Sequence, residues 1–389
     1  MIPIYLDNNA TTRIAPEVLD TMIPYLTDRY GNPSSVHRVG DRATAALADA
    51  RDQAAAFLKC RASEIVFTSG GTESNNAAIR GVLESARDKR HIVTSSVEHA
   101  SVLEPCRQLE QSGYRGTYIG VDRSGALDLA ALERALTDDT AIVSIMAANN
   151  ETGVVFPIDE IARIVKSRGV PLHVDAVQAA GKIPLDMEKT PADLLTLSGH
   201  KLHAPKGVGL LYIRHGTRAV PLIVGGGQEK GRRSGTPNVP GIVGFGKALE
   251  LAEAQLAGTR TASANETVRR LRDKLERGIL ERIPKSERNG AAEPRLPNTT
   301  NIAFDGVEGE SVLISLDEAG VCASSGSACS TGAIEPSHVL KAMGVPGPLA
   351  MGSLRFSLSR YTTDEEIDRV LEILPSIVER LRGLTRKEN

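Results

Sequence analysis

The chain has 389 residues, 41% of them hydrophobic, with 46 basic and 48 acidic side chains and a formal net charge of -2. That length and apolar content predict two globular domains, and the balanced charge argues against nucleic acid or an acidic membrane surface as a direct partner. The amino terminus lacks the basic and apolar regions of a signal peptide, and no stretch is long enough to span a membrane. The four cysteines, Cys60, Cys106, Cys322 and Cys329, form no CxxC pair. Their scatter argues against a disulfide framework or a zinc site, so a reduced, cytoplasmic protein is expected.

In chain order, a strand-like Ile2 to Leu6 precedes the turn-prone Asp7 to Thr12, and Pro16 opens a helix through Tyr25. After the irregular Tyr30 to His37, an Ala-rich helix carries Leu47, Ala50, Arg51, Ala54 and Leu58 at helical spacing, with Cys60 near its end read as structural. Glu64 to Thr68 reads as a strand running into Gly70-Gly71 and a helix from about Thr72. Free amides at such a helix start, with the Thr72 hydroxyl, suit an anion. The Walker lysine pattern is lacking, which argues against a nucleoside triphosphate.

Strands at His91 to Ser95, Ala141 to Ala147, Leu172 to Asp175 and Leu194 to Ser198 then alternate with helices from about Ser101 and over Ile158 to Arg168. This alternation predicts an α/β fold, a mostly parallel sheet flanked by helices. Polar clusters follow the strand ends: Glu98-His99, Asn149 to Gly153, and Asp175 to Gln178. They should converge on one face, as does Lys201, which follows Ser198 and precedes the strand Val208 to Ile213. A lysine partly desolvated there becomes a nucleophile toward aldehydes.

The Gly-rich stretch Gly225 to Asn238 leads into a long helical region, and composition shifts near Gly258 to Asn265. We place the domain boundary there, giving a large domain over 15–260 and a smaller α+β domain formed by 1–14 and 261–389. The smaller one should hold a helix from Glu266 to about Arg282 and strands at Asn301 to Phe304, Val321 to Ala323 and Ser353 to Ser359. A capping box at Thr363 should open a last helix with Ile367, Val370, Leu371, Leu374, Ile377, Val378 and Leu381 on one face and a kink at Pro375. Leu354, Phe356 and Leu358 alternate with Arg355, which points the arginine away from the apolar face.

An amine, an anion cradle, a carboxylate and a flat group together meet the needs of pyridoxal 5'-phosphate. Lys201 supplies the amine, Thr72 with Ser198 and His200 the cradle, Asp175 the carboxylate and His99 the flat group. Leu6 to Thr12, Thr68 to Ser74, Val97 to Ala100, Asn149 to Gly153, His173 to Gln178, Ser198 to Lys201, Arg233 to Thr236, Ser324 to Ser330 and Leu354 to Ser357 together resemble class V aminotransferase-fold enzymes. Within that group the chain is similar to cysteine desulfurases of the nitrogen-fixation and iron–sulfur-assembly type, over essentially its whole length.

The resemblance implies the pyridoxal-phosphate-dependent transferase fold and a role for each matched position. Lys201 would bond the cofactor aldehyde, His99 stack on its ring, Asp175 pair with the ring nitrogen and Gln178 bind the ring hydroxyl. Gly71, Thr72, Ser198 and His200 would hold the phosphate, with Thr236 reaching it from a second copy in a homodimer. Asn150 and Arg355 would hold the carboxylate of L-cysteine, Lys201 would take its α-proton, and His99 would shuttle a proton. Cys329, in a Ser-rich loop without large apolar neighbours, is expected to be an exposed thiol that takes the sulfur as a persulfide. Cys322, alternating like a strand residue, and Cys106, in a helix, are expected in the core. Alanine and a persulfide for an iron–sulfur scaffold or another acceptor protein are the implied products. One thiol cannot build a structural metal site, which leaves Cys329 at most a transient cluster ligand. A selenocysteine lyase or a class V aminotransferase is the alternative within the fold.

Overall fold

The computed structural model describes residues 3–257, 264–325 and 335–385. In chain order its strands are β1 (Ile4–Tyr5), β2 (Ile65–Thr68), β3 (His91–Ser95), β4 (Arg115–Ile119), β5 (Thr140–Met146) and β6 (Leu172–Asp175). They are followed by β7 (Leu194–Ser198), β8 (Gly209–Ile213), β9 (Ser286–Arg288), β10 (Thr299–Phe304), β11 (Val321–Cys322) and β12 (Ser353–Ser357).

Seven strands form one sheet in the order β2-β8-β7-β6-β5-β3-β4. Only β8 runs against the others, pairing antiparallel with β2 and β7. Strands covered on both faces need apolar residues throughout, and every residue of β5 and β7 is buried. Successive residues serve opposite faces: Ile65 and Phe67 join one core cluster and Val66 the other. The helices Arg38–Leu58, Ile158–Ser167 and Val239–Ala257 contribute to the first cluster. Gly71–Ser85 and Ala100–Glu110 contribute to the second.

A three-stranded sheet, β12-β10-β9, is antiparallel throughout. It packs with the helices Ala264–Arg282, Gly309–Glu318 and Asp364–Thr385 around a separate core containing Phe304, Leu354, Phe356, Leu374 and Val378. Each such side chain, fully buried, contributes about 1.5–3 kcal/mol of transfer free energy. Leu6 belongs to this core, so the amino-terminal segment crosses to it, and β1 pairs parallel with β11. In return Val339, Leu340, Met343, Val345 and Ala350 join the core of the larger sheet.

The capping box at Thr363 forms as its sequence requires: Thr363 N donates to Glu366 Oε2 (3.0 Å) and Glu366 N to Thr363 Oγ1 (3.3 Å). The helix it opens continues past Pro375. Cys106 is fully buried, as expected, and Cys60 packs partly buried against the larger core. Burial pushes both thiols up to about 12, which makes them inert at neutral pH. Cys322, expected in the core, is only half-buried, because its two-residue strand lies beside Tyr5 rather than between two layers. Among the described residues no helix is long and apolar enough to cross a membrane.

Candidate active site

The parallel strands end on one edge, and the polar residues after them meet there. β2 turns at Gly70, whose φ of +156° favours glycine, into the helix Gly71–Ser85. No side chain caps that helix start. A Cβ on Gly71 would sit 3.0 Å from Val177 Cγ2 and 3.5 Å from Ser198 Cβ, so the ends of β6 and β7 press close against the uncapped amides. Thr72 is exposed at this point and Ser198 is buried behind it. Uncapped amides and two hydroxyl residues form a cradle for an anion.

Glu73 in the first helical turn would oppose an anion if left alone. Arg233 holds it in a two-point pair, Nε to Oε1 at 2.8 Å and Nη2 to Oε2 at 3.1 Å. Burial raises the Glu73 pKa, but the bonds from Arg233 and Ser69 outweigh it, and the carboxyl is held below its ordinary value. The same pair ties the stretch carrying Thr236 to the cradle, with Thr236 itself exposed.

Behind the cradle runs a buried polar chain. Asn75 Nδ2 donates to Asp175 Oδ2 (2.7 Å) and to Ser101 Oγ (2.8 Å). Val177 N donates to Asp175 Oδ1 at 3.0 Å. Ser101 N donates to His99 Nδ1 (3.1 Å), so His99 caps the helix Ala100–Glu110. With Nδ1 an acceptor, the proton of a neutral ring lies on Nε2. His99 is exposed as a residue, yet its surroundings are dense: burial lowers its pKa, the charge of Asp175 opposes, and Lys201 and His338 lower it further.

Lys201 ends the short turn Gly199–Lys201 after β7, and its Nζ donates to Asn9 O (2.5 Å) and Ala10 O (2.7 Å). Both acceptors are neutral backbone carbonyls and bring no countercharge to the amine. Burial first, then the nearby Arg355, lowers its pKa to about 8, with Asp7 and Asp175 opposing. Gln178 Nε2 also donates to Asn9 O (3.0 Å), while its Oε1 accepts from Lys182 Nζ (2.8 Å). Lys182 is pushed down to about 7 by burial and by the charges of Lys201 and Arg355. His200, with Nδ1 3.2 Å from Thr11 Oγ1, is lowered to about 4 by burial and by Lys201 and Lys206. The segment Asp7–Thr12 is held over this turn, with Thr12 N donating to His200 O (2.9 Å) and His203 N to Thr12 Oγ1 (2.9 Å).

Arg355 closes the site from the smaller sheet. On β12 it pairs in register with Asn301 while Leu354 and Phe356 face the apolar core, so the alternation does direct it away from that core. Its Nη2 meets Asp7 Oδ1 at 2.7 Å and its Nη1 donates to Asn150 O at 3.1 Å. Asn150 also accepts from Asn9 Nδ2 at 3.0 Å. Cys329 lies outside the described residues. The flanking chain is joined to the site: Ser324 bridges Arg355 backbone to backbone, and His338 Nε2 lies 2.9 Å from Glu98 O.

Sequence reasoning found Gly71, Thr72, His99, Asn150, Asp175, Gln178, Ser198, His200, Lys201 and Arg355 through strand ends and motifs, and the structure brings these together. It missed Asp7, Asn9, Asn75, Ser101 and Lys182. Asn75 carries a usable signal, one helical turn beyond Gly71 on the face turned to the sheet. The site thus offers an anion cradle, a buried carboxylate, a lysine whose pKa is lowered to about 8 and a buried guanidinium, an arrangement able to hold a phosphate-like anion and a carboxylate on either side of a reactive amine.

The aminotransferase class-V family matches residues 4–370, and the chain belongs to that family. It is 58% identical over 389 residues to a cysteine desulfurase of Trichormus azollae, covering 100% of this chain and 96% of the relative. It is 49% identical over 386 residues to the cysteine desulfurase NifS of Azotobacter vinelandii, covering 99% and 95% of the two chains. A solved NifS-like protein superposes with a TM-score of 0.91 at 41% identity, covering 97% of this chain and 100% of that one.

Proposed function

We infer that this protein is a cysteine desulfurase that uses pyridoxal 5'-phosphate to convert L-cysteine to L-alanine and passes the sulfur to Cys329. The observation that carries this reading is the meeting of Lys201, Asp175, His99 and the Gly71 cradle at one sheet edge with a buried Arg355 opposite. Full-length similarity to proteins named cysteine desulfurase supports the same conclusion.

The residues present fit the cofactor. The uncapped helix start, with Thr72, Ser198 and His200, would hold its phosphate, Asp175 its ring nitrogen, Gln178 its ring hydroxyl, and His99 its ring face. When bound, the cofactor supplies an electron sink for the α-carbon of an amino acid. Lys201, neutral in an appreciable fraction near pH 7, accepts and returns a proton at Nζ. Arg355 and Asn150 orient the substrate carboxylate. His99 exchanges a proton at Nε2, the atom left free by its capping bond. The Cβ–S bond of cysteine breaks, an S–S bond forms at the Cys329 thiolate, and Cβ gains a hydrogen, so the products are alanine and a persulfide. The assignment of Cys329 rests on its sequence setting, Ser324 to Gly332.

A homodimer belongs to the same proposal. Thr236 is exposed, and the adjoining Leu222, Ile223 and Val224 are exposed apolar residues, Val224 at 79%, a surface suited to a second copy. The separate core of the smaller sheet, apart from the two clusters on the faces of the larger one, supports the division into a large domain and a small one. A cytoplasmic setting and an iron–sulfur scaffold or other acceptor protein complete the reading.

The test is alanine and sulfide release from L-cysteine under reducing conditions, wild type against Cys329→Ala, with the cofactor spectrum of each. Equal amounts of both products from the wild type, and neither from the yellow variant, are expected. Yellow proteins that move an amino group without releasing sulfide would replace this reading with an aminotransferase.

A further inference from the structure

Arg355 is 4% exposed and incompletely used. Its Nη1 is bound to Asn150 O and its Nη2 to one oxygen of Asp7, while Nε is buried with no partner among the described residues. A guanidinium presents five N–H donors in a fixed fork, and a carboxylate meets two of them at once when it docks edge-on. The orphaned Nε therefore marks an edge on which a second carboxylate has something to gain.

Asp7 is placed to yield that guanidinium. Its backbone is fixed by a bridge to Ser357 and by the Ala10 N bond to its carbonyl (3.0 Å), and its neighbours Asn9 and Ala10 receive Lys201. Its side chain is 20% exposed against 5% for that of Arg355, so the ion pair opens toward solvent on the aspartate side. A buried arginine without a countercharge is unfavourable, which gives Asp7 a purpose in the substrate-free protein.

We propose that Asp7 is an internal competitor for the α-carboxylate of the amino-acid substrate, holding Arg355 until that carboxylate displaces it. This rests on the proposed role of Arg355 as the carboxylate site. A tethered competitor lowers apparent affinity by the fraction of time that the site is free. It acts on every ligand that carries the carboxylate and on none that lacks it. Asp7 is thus a specificity-determining residue, setting how strongly a carboxylate must bind before the site opens to it.

The experiment titrates the full-length protein, loaded with pyridoxal phosphate, with L-alanine and with ethylamine, the same amine without the carboxylate, and follows the cofactor absorbance. In Asp7→Asn the half-saturating L-alanine concentration falls by roughly tenfold relative to that for ethylamine, as removal of a tethered competitor requires. Asp7→Ser, also without charge, gives the same direction and serves if the asparagine protein does not retain cofactor. Unchanged or weakened L-alanine binding in these variants overturns the proposal. So does loss of cofactor in both with Asp7→Glu intact, because Asp7 is then a required structural counter-ion. Arg355→Gln separates the two levels: an unchanged L-alanine titration there removes the carboxylate site itself. The readout needs no sulfur release, so a protein that binds amino acids in this pattern without desulfurating cysteine fails the functional reading and not this one.

Discussion

Ser337 Oγ donates to Glu151 Oε2 at 2.5 Å, both residues buried, and in doing so joins the helix His338–Ala342 to the loop that carries Asn150. The same hydroxyl accepts from Val339 N (3.1 Å) and Leu340 N (3.3 Å), so it caps the helix as well. Ser324 is bridged to Arg355, and His338 touches the carbonyl preceding His99. The described chain on either side of residues 326–334 is therefore fastened to immediate neighbours of the proposed substrate contacts.

Ser337→Ala removes a cap, worth about 1 kcal/mol, and deprives a buried carboxyl of its donor, which costs about 1–3 kcal/mol more. A loss of roughly 2–4 kcal/mol is expected in urea unfolding. Sulfide release should drop more than L-alanine binding weakens, because the cradle, Lys201 and Asp175 lie on other elements. Equal losses in both would make Ser337 a global stability residue with no particular tie to sulfur transfer.

Glu98, beside His99, is fully buried, with Ser95 Oγ (2.6 Å) and Met146 N (2.9 Å) both donating to Oε1 while Oε2 has no partner among the described residues. Burial raises its pKa to about 8, helped by the charge of Asp175 and opposed by those two bonds. The folded protein thus keeps a proton that the unfolded chain releases above about 4.5, so stability falls as pH rises between about 4.5 and about 8. Below that window the protonated carboxyl contributes in full. Glu98→Gln imitates the protonated group and should flatten this part of the profile. Urea midpoints across the window decide it: parallel profiles for the two proteins would mean that Glu98 is ionised in the fold.

What the sequence discloses follows from how a parallel sheet is built. Strands buried on both faces read as apolar runs, so the first polar residues after them mark the active edge, which is how Asp175, His99 and Lys201 stand out. β4 escaped because Arg115, Gly116, Thr117 and Tyr118 have no apolar run, and its place at the sheet edge leaves it half-covered. Asn9 and Ala10 act through carbonyl oxygens, which no side-chain pattern reveals. Asn75 differs from Asn76 only by the helix face it occupies: one reaches Asp175, the other bonds back to Thr72 O. Asp7 meets Arg355 across nearly the whole chain, a contact made by tertiary packing alone.

Lys201 is set apart from a solvated lysine by burial. Its ordinary pKa of 10.5 is lowered to about 8 by burial and by Arg355. At pH 7 about one such amine in ten is neutral, against fewer than about one in a thousand for a solvated lysine. Asn9 O and Ala10 O do not cancel the effect, since a neutral amine still has two hydrogens to donate to them. In protein stripped of cofactor, only the neutral amine attacks an aldehyde, so the rate of combination with pyridoxal phosphate at fixed concentration should rise with pH to a midpoint near 8. Arg355→Gln removes a neighbouring positive charge and should move that midpoint upward, whereas Asp7→Asn removes a negative one and should move it downward. Stopped-flow absorbance across the pH range measures both shifts. A midpoint near the ordinary lysine value in all three proteins would show that Lys201 is as well solvated as a surface side chain, and that its activation must come from the bound cofactor and not from the fold.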